Sequence, residues 1–74
     1  MSVKDDIFTY KHLIGKRIQK RGADNVKDII VELFPKEIEG KEFAAAKIKL
    51  AFPIDGQHNL EVTLDDLRWQ YFIV

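Results

Sequence analysis

The stretch that decides the fold is residues 26–34, Val-Lys-Asp-Ile-Ile-Val-Glu-Leu-Phe. Its apolar residues follow the i, i+3, i+4, i+7, i+8 spacing of a helix face that packs on a core. These residues are Val26, Ile29, Ile30, Leu33 and Phe34. The same stretch is rich in β-branched residues, which favour strands. Because five positions match the helical spacing, we predict a helix that ends before Pro35, which cannot donate a backbone hydrogen bond.

The segment before this stretch also has helical spacing. Its apolar residues are Ile7, Tyr10, Leu13, Ile14 and Ile18. They would form one face of a helix over roughly residues 3–20. Asp5 and Asp6 would lie in its first turn and four cations in its last turn, as the helix dipole favours. The sequence therefore predicts two N-terminal helices.

The second half of the chain changes to a period of two. Apolar residues alternate over residues 46–52 and again over 60–64. Between them, residues 53–57, Pro-Ile-Asp-Gly-Gln, have turn chemistry, and Gly56 can take positive φ. The segment 63–67 has the spacing of a helix cap, yet residues 69–73 alternate as in a strand. We choose a tight Asp65-Asp66 turn followed by a third strand.

These elements predict one α+β domain over residues 1–74, with two N-terminal helices packed on a three-stranded antiparallel sheet. The alternative is an all-β small barrel of the SH3 or Tudor type. Residues 54–57 and 61–68 resemble the end of Tudor-like barrels, and that resemblance implies strands in the first 34 residues as well. Residues 13–18, Leu-Ile-Gly-Lys-Arg-Ile, are similar to the opening of phage-repressor helix-turn-helix domains, which continue with further short helices.

The residue types argue against catalysis. The chain has no cysteine and one serine, which removes most covalent mechanisms. His12 and His58 have no second ligand at metal spacing, and Asp65 with Asp66 supplies too few oxygens for calcium. We therefore expect no enzymatic activity, no metal and no cofactor.

The formal net charge is zero, but residues 1–22 carry +4 and residues 23–40 carry −3. Four cations within six residues are the most suggestive feature of the chain. They are Lys16, Arg17, Lys20 and Arg21. At a helix C-terminus each cation would stabilise the helix by roughly 0.3–1 kcal/mol without any partner. The other explanation is a surface for an acidic protein or for nucleic acid.

An aromatic group lies near the C-terminus, at Trp69, Tyr71 and Phe72. Aromatic residues supply core area in a small domain and are also enriched at interface hot spots. We expect two of the three in the core and take Trp69 as the candidate for exposure. The predicted partner-binding residues are therefore the four cations together with Trp69 and Tyr71.

The functional prediction is a small non-catalytic protein-binding module. It would be an adaptor, accessory subunit or inhibitor of a larger protein, similar in size to phage or mobile-element inhibitors. The alternative is a nucleic-acid-binding protein that uses the basic helix end at residues 16–21. Self-association through the C-terminal strand would give a homodimer. No apolar run is long enough to cross a membrane and no signal peptide is recognisable, so we expect a cytoplasmic protein.

Overall fold

The computed structural model describes residues 3–22 and 27–74, which form a five-stranded antiparallel sheet and two short helices. The elements are α1 (Val3–Tyr10), a 3₁₀ turn (Lys11–Leu13), β1 (Arg17–Lys20), β2 (Asp28–Ile38), β3 (Lys41–Ile54), β4 (Gln57–Thr63), α2 (Leu64–Gln70) and β5 (Tyr71–Ile73). The strand order is β4-β3-β2-β1-β5. The last strand therefore lies beside the first, and β4 and β5 form the two edges of the sheet.

This architecture shows that the predicted two helices on a three-stranded sheet are wrong. The predicted second helix is β2, and the end of the predicted first helix is β1. The strand β2 lies in the middle of the sheet and pairs with β1 on one side and with β3 on the other. Neighbouring strands stabilise β-branched side chains by cross-strand packing, and the spacing of apolar residues along one segment gives no information on such neighbours. Val26 lies outside the described residues.

A β-bulge in β2 explains why this strand has helical spacing. Ile30 pairs with Ile48, but the next pair joins Glu32 to Lys47, so Val31 is an extra residue. A bulge shifts the alternation of side chains by one position. Ile30 and Leu33 are consequently both buried, although they are three residues apart. A spacing of three within a strand is the same spacing that indicates a helix.

The alternative, a small all-β barrel built from the whole chain, is not observed either. Residues 3–10 and 64–70 are helical. Within the described residues the sheet is open, because its outer strands, β4 and β5, do not pair with each other.

The C-terminal half follows the prediction more closely. The strands predicted on either side of the turn at residues 53–57 are β3 and β4, which pair antiparallel around the shorter turn Asp55-Gly56. Both turn residues have positive φ, 50° and 79°, as a two-residue type I′ hairpin requires. The tight turn predicted at Asp65-Asp66 is wrong, because both residues belong to α2. The cap signal is the correct one: the Thr63 Oγ1 accepts a hydrogen bond from the Asp66 N–H at 3.2 Å.

The core lies on one face of the sheet. Its fully buried large side chains are Ile18, Ile30 and Ile48, one on each of the three adjacent strands β1, β2 and β3. Residues of the 3₁₀ turn, of α2 and of β5 belong to the same buried cluster and cover this face. Burial of one such side chain contributes roughly 1.5–3 kcal/mol. This face of the sheet therefore holds the helices in place.

We predict that Ile48→Ala lowers the free energy of unfolding by about 2–5 kcal/mol, because it leaves a cavity opposite Ile30. Urea denaturation followed by circular dichroism measures this change. Lys49→Ala is the matched control, since Lys49 is the next residue of β3 and is exposed. A loss of less than 1 kcal/mol for Ile48→Ala would contradict the assigned core.

Candidate partner-binding surface

The four predicted cations are exposed and lie on or beside β1. Lys16 precedes the strand, Arg17 and Lys20 belong to it, and Arg21 follows it. Side chains alternate along a strand, so Arg17 and Arg21 share the face opposite the core while Lys20 lies on the other face. The cluster is not at a helix C-terminus. Stabilisation of a helix dipole therefore does not account for it.

The aromatic residues near the C-terminus differ sharply in exposure. Tyr71 is buried, with 5% of its surface exposed, whereas Trp69 is 77% exposed and Phe72 49% exposed. Only Tyr71 thus belongs to the core, and the expectation of two core aromatics is wrong. The guanidinium of Arg21 lies 4.1 Å from the centre of the Phe72 ring, within cation–π distance.

The fold brings the end of the basic cluster against α2. The Arg21 N–H donates a hydrogen bond to the Gln70 carbonyl at 2.7 Å. A cleft of about 360 Å³ is lined there by Arg21, Asp65, Arg68 and Trp69. Two predicted site residues from opposite ends of the chain, Arg21 and Trp69, therefore line one concavity. Arg68 was not among the predicted residues, although it directly precedes Trp69 in the sequence.

The edge strand β5, which follows α2 directly, exposes apolar side chains on both faces of the sheet. Phe72 and Ile73 are about half exposed, and β5 is an outer strand of the sheet. We call the set of Arg21, Arg68, Trp69, Phe72 and Ile73 the β5 surface. It combines aromatic, aliphatic and arginine side chains, the residue types that dominate binding energy at protein interfaces.

A separate apolar pocket of about 190 Å³ lies on the core side of β5. Residues from the segment 10–13, from β1, from α2 and from β5 line it. Among them are Leu13, Ile18, Leu67, Arg68, Tyr71 and Ile73. The pocket is therefore bounded on one side by the same edge strand that contributes to the β5 surface.

Basic residues also meet on the outer side of the sheet, opposite the core. Arg17, Lys27 and Lys49 line a depression of about 350 Å³ together with apolar residues and no acidic residue. Of the four predicted cations, Arg17 belongs to this depression and Arg21 to the β5 surface. The structure thus divides the basic cluster between two surfaces.

A buried carboxylate supports this end of the sheet. Asp28 is buried, and its Oδ1 accepts a hydrogen bond from the Ala51 N–H at 2.9 Å. Burial raises the pKa of the Tyr71 phenol above its usual value, and the negative charge of Asp28 raises that pKa further. The phenol is therefore neutral at physiological pH and acts as a core side chain.

The described residues contain no cluster of three or more histidines, cysteines or carboxylates that could hold a metal ion. Over residues 3–22 and 27–74, no helix has the length and apolar character needed to span a bilayer. Comparison with known proteins finds no matching family model, no matching curated protein and no matching solved structure. Function must therefore be inferred from the surfaces described above.

The raised pKa of Tyr71 predicts a loss of stability at alkaline pH. The unfolded phenol ionises near pH 10, while the folded phenol keeps its proton to higher pH. Unfolding therefore becomes easier as the pH rises above about 10 and through the folded pKa. Tyr71→Phe should remove this part of the loss. Urea denaturation of both proteins at pH 8 and pH 11 measures it, and equal losses in the two proteins would contradict the assignment.

Proposed function

We propose that this chain is a non-catalytic protein-binding module that docks on a larger protein through the β5 surface. The observation that carries the proposal is the convergence of a largely exposed tryptophan, two arginines and an apolar edge strand. Tryptophan and arginine are among the residues most enriched at interface hot spots. An adaptor, an accessory subunit or an inhibitor would each use such a surface.

The charge of the β5 surface favours an acidic partner. Arg21 and Arg68 lie in the cleft beside one carboxylate, Asp65, and Lys20 is exposed on the adjacent strand. The contact with the Phe72 ring limits the freedom of the Arg21 side chain, so less entropy is lost when a partner binds. Electrostatic complementarity of this kind selects partners and speeds association.

We expect Trp69→Ala to reduce the recovery of the partner at least tenfold when the purified chain is used as bait in nuclease-treated lysate of the source organism. Such a loss is typical of a hot-spot aromatic residue. Quantitative mass spectrometry measures the recovery. Phe52→Ala is the matched control, because Phe52 is 68% exposed in β3, distant in sequence from the β5 surface.

Circular dichroism must first show that both variants fold like the wild type. A protein that is lost with Trp69→Ala and retained with Phe52→Ala supports the proposal. Equal recovery with both variants contradicts it. Light scattering of the purified chain tests the related proposal of a homodimer, and a monomer at high concentration would exclude that extension.

Nucleic-acid binding is the second candidate, and the outer-face depression favours it. Arg17, Lys27 and Lys49 line this depression without an acidic residue. Arg21 and the half-exposed ring of Phe72 lie on the same side of the sheet. Cations that follow a phosphate backbone and an aromatic ring that stacks on bases are the usual elements of single-strand binding.

This candidate predicts that a labelled single-stranded oligonucleotide binds the chain with an affinity that falls steeply as salt increases. Arg17→Ala with Lys49→Ala should weaken binding and reduce the slope of the salt dependence by about 1 for each lost phosphate contact. Fluorescence anisotropy measures both quantities. Lys41→Ala is the control, because Lys41 lies at the hairpin that joins β2 to β3, far from this depression in the sheet. We call this the far hairpin. Absence of binding at low salt would end this candidate.

A further inference from the structure

The open edge of β5 presents unpaired backbone groups in a defined pattern. The Arg21 N–H bonds the Gln70 carbonyl, and the Val74 N–H bonds the Arg17 carbonyl. In an antiparallel pair, every second residue directs its N–H and C=O toward the partner strand. Gln70, Phe72 and Val74 therefore face β1, while the backbone groups of Tyr71 and Ile73 point away from it. The Tyr71 N–H already donates a hydrogen bond to the Leu67 carbonyl of α2. An added strand would therefore pair with the Tyr71 carbonyl and with the N–H and carbonyl of Ile73. In the described part of the chain, no strand pairs with β5 on that outer side.

The side chains of the same two residues line the apolar pocket. Tyr71 and Ile73 both contribute to it, with Leu13 and Leu67 among the other lining residues. A strand that paired with β5 would place every second side chain on the core face, directly beside Tyr71 and Ile73. The pocket, at about 190 Å³, is smaller than the usual 300–1,000 Å³ of small-molecule sites. Its size suits an apolar side chain better than a free ligand.

One cation lies at this edge, and a second lies one strand further into the sheet. Arg68 lines both the apolar pocket and the cleft beside Trp69, and Lys20 pairs with Tyr71 across β1 and β5. Acidic residues on an added strand would lie closest to Arg68, because β5 separates that strand from Lys20. Edge pairing supplies affinity through the backbone, and pockets for alternate side chains supply specificity.

We infer that the partner of the β5 surface is an extended protein segment that adds to the sheet as a sixth strand beside β5. The segment inserts an apolar side chain into the pocket, and its acidic residues face Arg68. This inference rests on the proposed function and specifies its binding mode. The occupant is thus a peptide segment with alternating apolar residues and flanking carboxylates.

The first test selects binders from a displayed library of random ten-residue peptides on the full chain. We expect the enriched peptides to share apolar residues at every second position and to carry a net negative charge. Enriched peptides with helical spacing, or no enrichment at all, would overturn strand addition.

The second test uses the tightest selected peptide and amide hydrogen exchange read by nuclear magnetic resonance. We expect the peptide to slow exchange of the Ile73 amide at least tenfold, because that N–H points to the open edge. The Phe72 amide, which already faces β1, should change much less. Methylating the peptide backbone nitrogens that face β5 should weaken binding at least tenfold, whereas methylating the neighbouring nitrogens should not. An unchanged Ile73 amide would overturn the inference.

The third test examines the charge contribution. Arg68→Glu should weaken binding of the acidic peptide at least tenfold in 0.15 M salt. At this ionic strength more distant exposed charges are screened. Lys41→Glu, the same charge change at the far hairpin, should alter the affinity less than twofold. Equal effects of the two variants would overturn the assigned contact with Arg68.

The outcomes separate this inference from the proposed function. If the peptide tests fail while capture of a partner still depends on Trp69, the module binds proteins in another way. An Ile73 amide that is already protected in a dimer of the free chain would also overturn the inference, since a second copy would then occupy the edge. If the peptide tests fail and capture of a partner does not depend on Trp69, the proposed function itself is contradicted.

Discussion

The pairing of Ile30 with Ile48 across β2 and β3 is the interaction on which the rest of the structure depends. Both side chains are fully buried, and Ile18 of β1 joins them on the same face. A slip of one residue in this register would turn every side chain of β2 to the opposite face and expose the core. The bulge at Val31 then sets which later residues of β2 are buried. The long β2–β3 pair is therefore fixed by apolar burial.

The candidate surface lies at the edge of this frame because β1 is short. It pairs with only the first residues of β2, and its other side is left for β5. Residues 64–70 form α2, which packs two leucines into the core and leaves Trp69 on its exposed side. The core thus positions Arg21, Arg68 and Trp69 without burying them. A rigid support for exposed hot-spot residues favours binding, since little ordering is needed when a partner arrives.

The role that can be assigned to the basic cluster depends on whether it lies on a helix or on a strand. On a helix, the cations would have stabilised the helix dipole and needed no partner. On β1 that explanation disappears, and alternation divides the side chains between two faces of the sheet. Arg17 and Arg21 share the outer side, but Arg17 lines the basic depression whereas Arg21 lines the cleft beside Trp69. The cluster therefore supports two binding proposals.

Sequence alone determined the features that depend on neighbouring residues. A turn within residues 53–57 follows from Gly56, which accepts positive φ, and alternation around it identified β3 and β4. The choice of Trp69 as the exposed aromatic also came from its polar neighbours, although the partner of that surface stays a prediction. Each of these features is set by a few adjacent residues.

Only the tertiary structure decided that residues 28–38 form a strand. The bulge separates two buried positions of this strand by three residues. The spacing of apolar residues along the sequence cannot distinguish this arrangement from a helix. The same holds for the β5 surface, whose members come from Arg21 and from residues 68–73. Pairing between strands distant in sequence brings them together. The physical reason is that strand pairing joins residues distant in sequence, whereas the periodicity of apolar residues reflects only near neighbours.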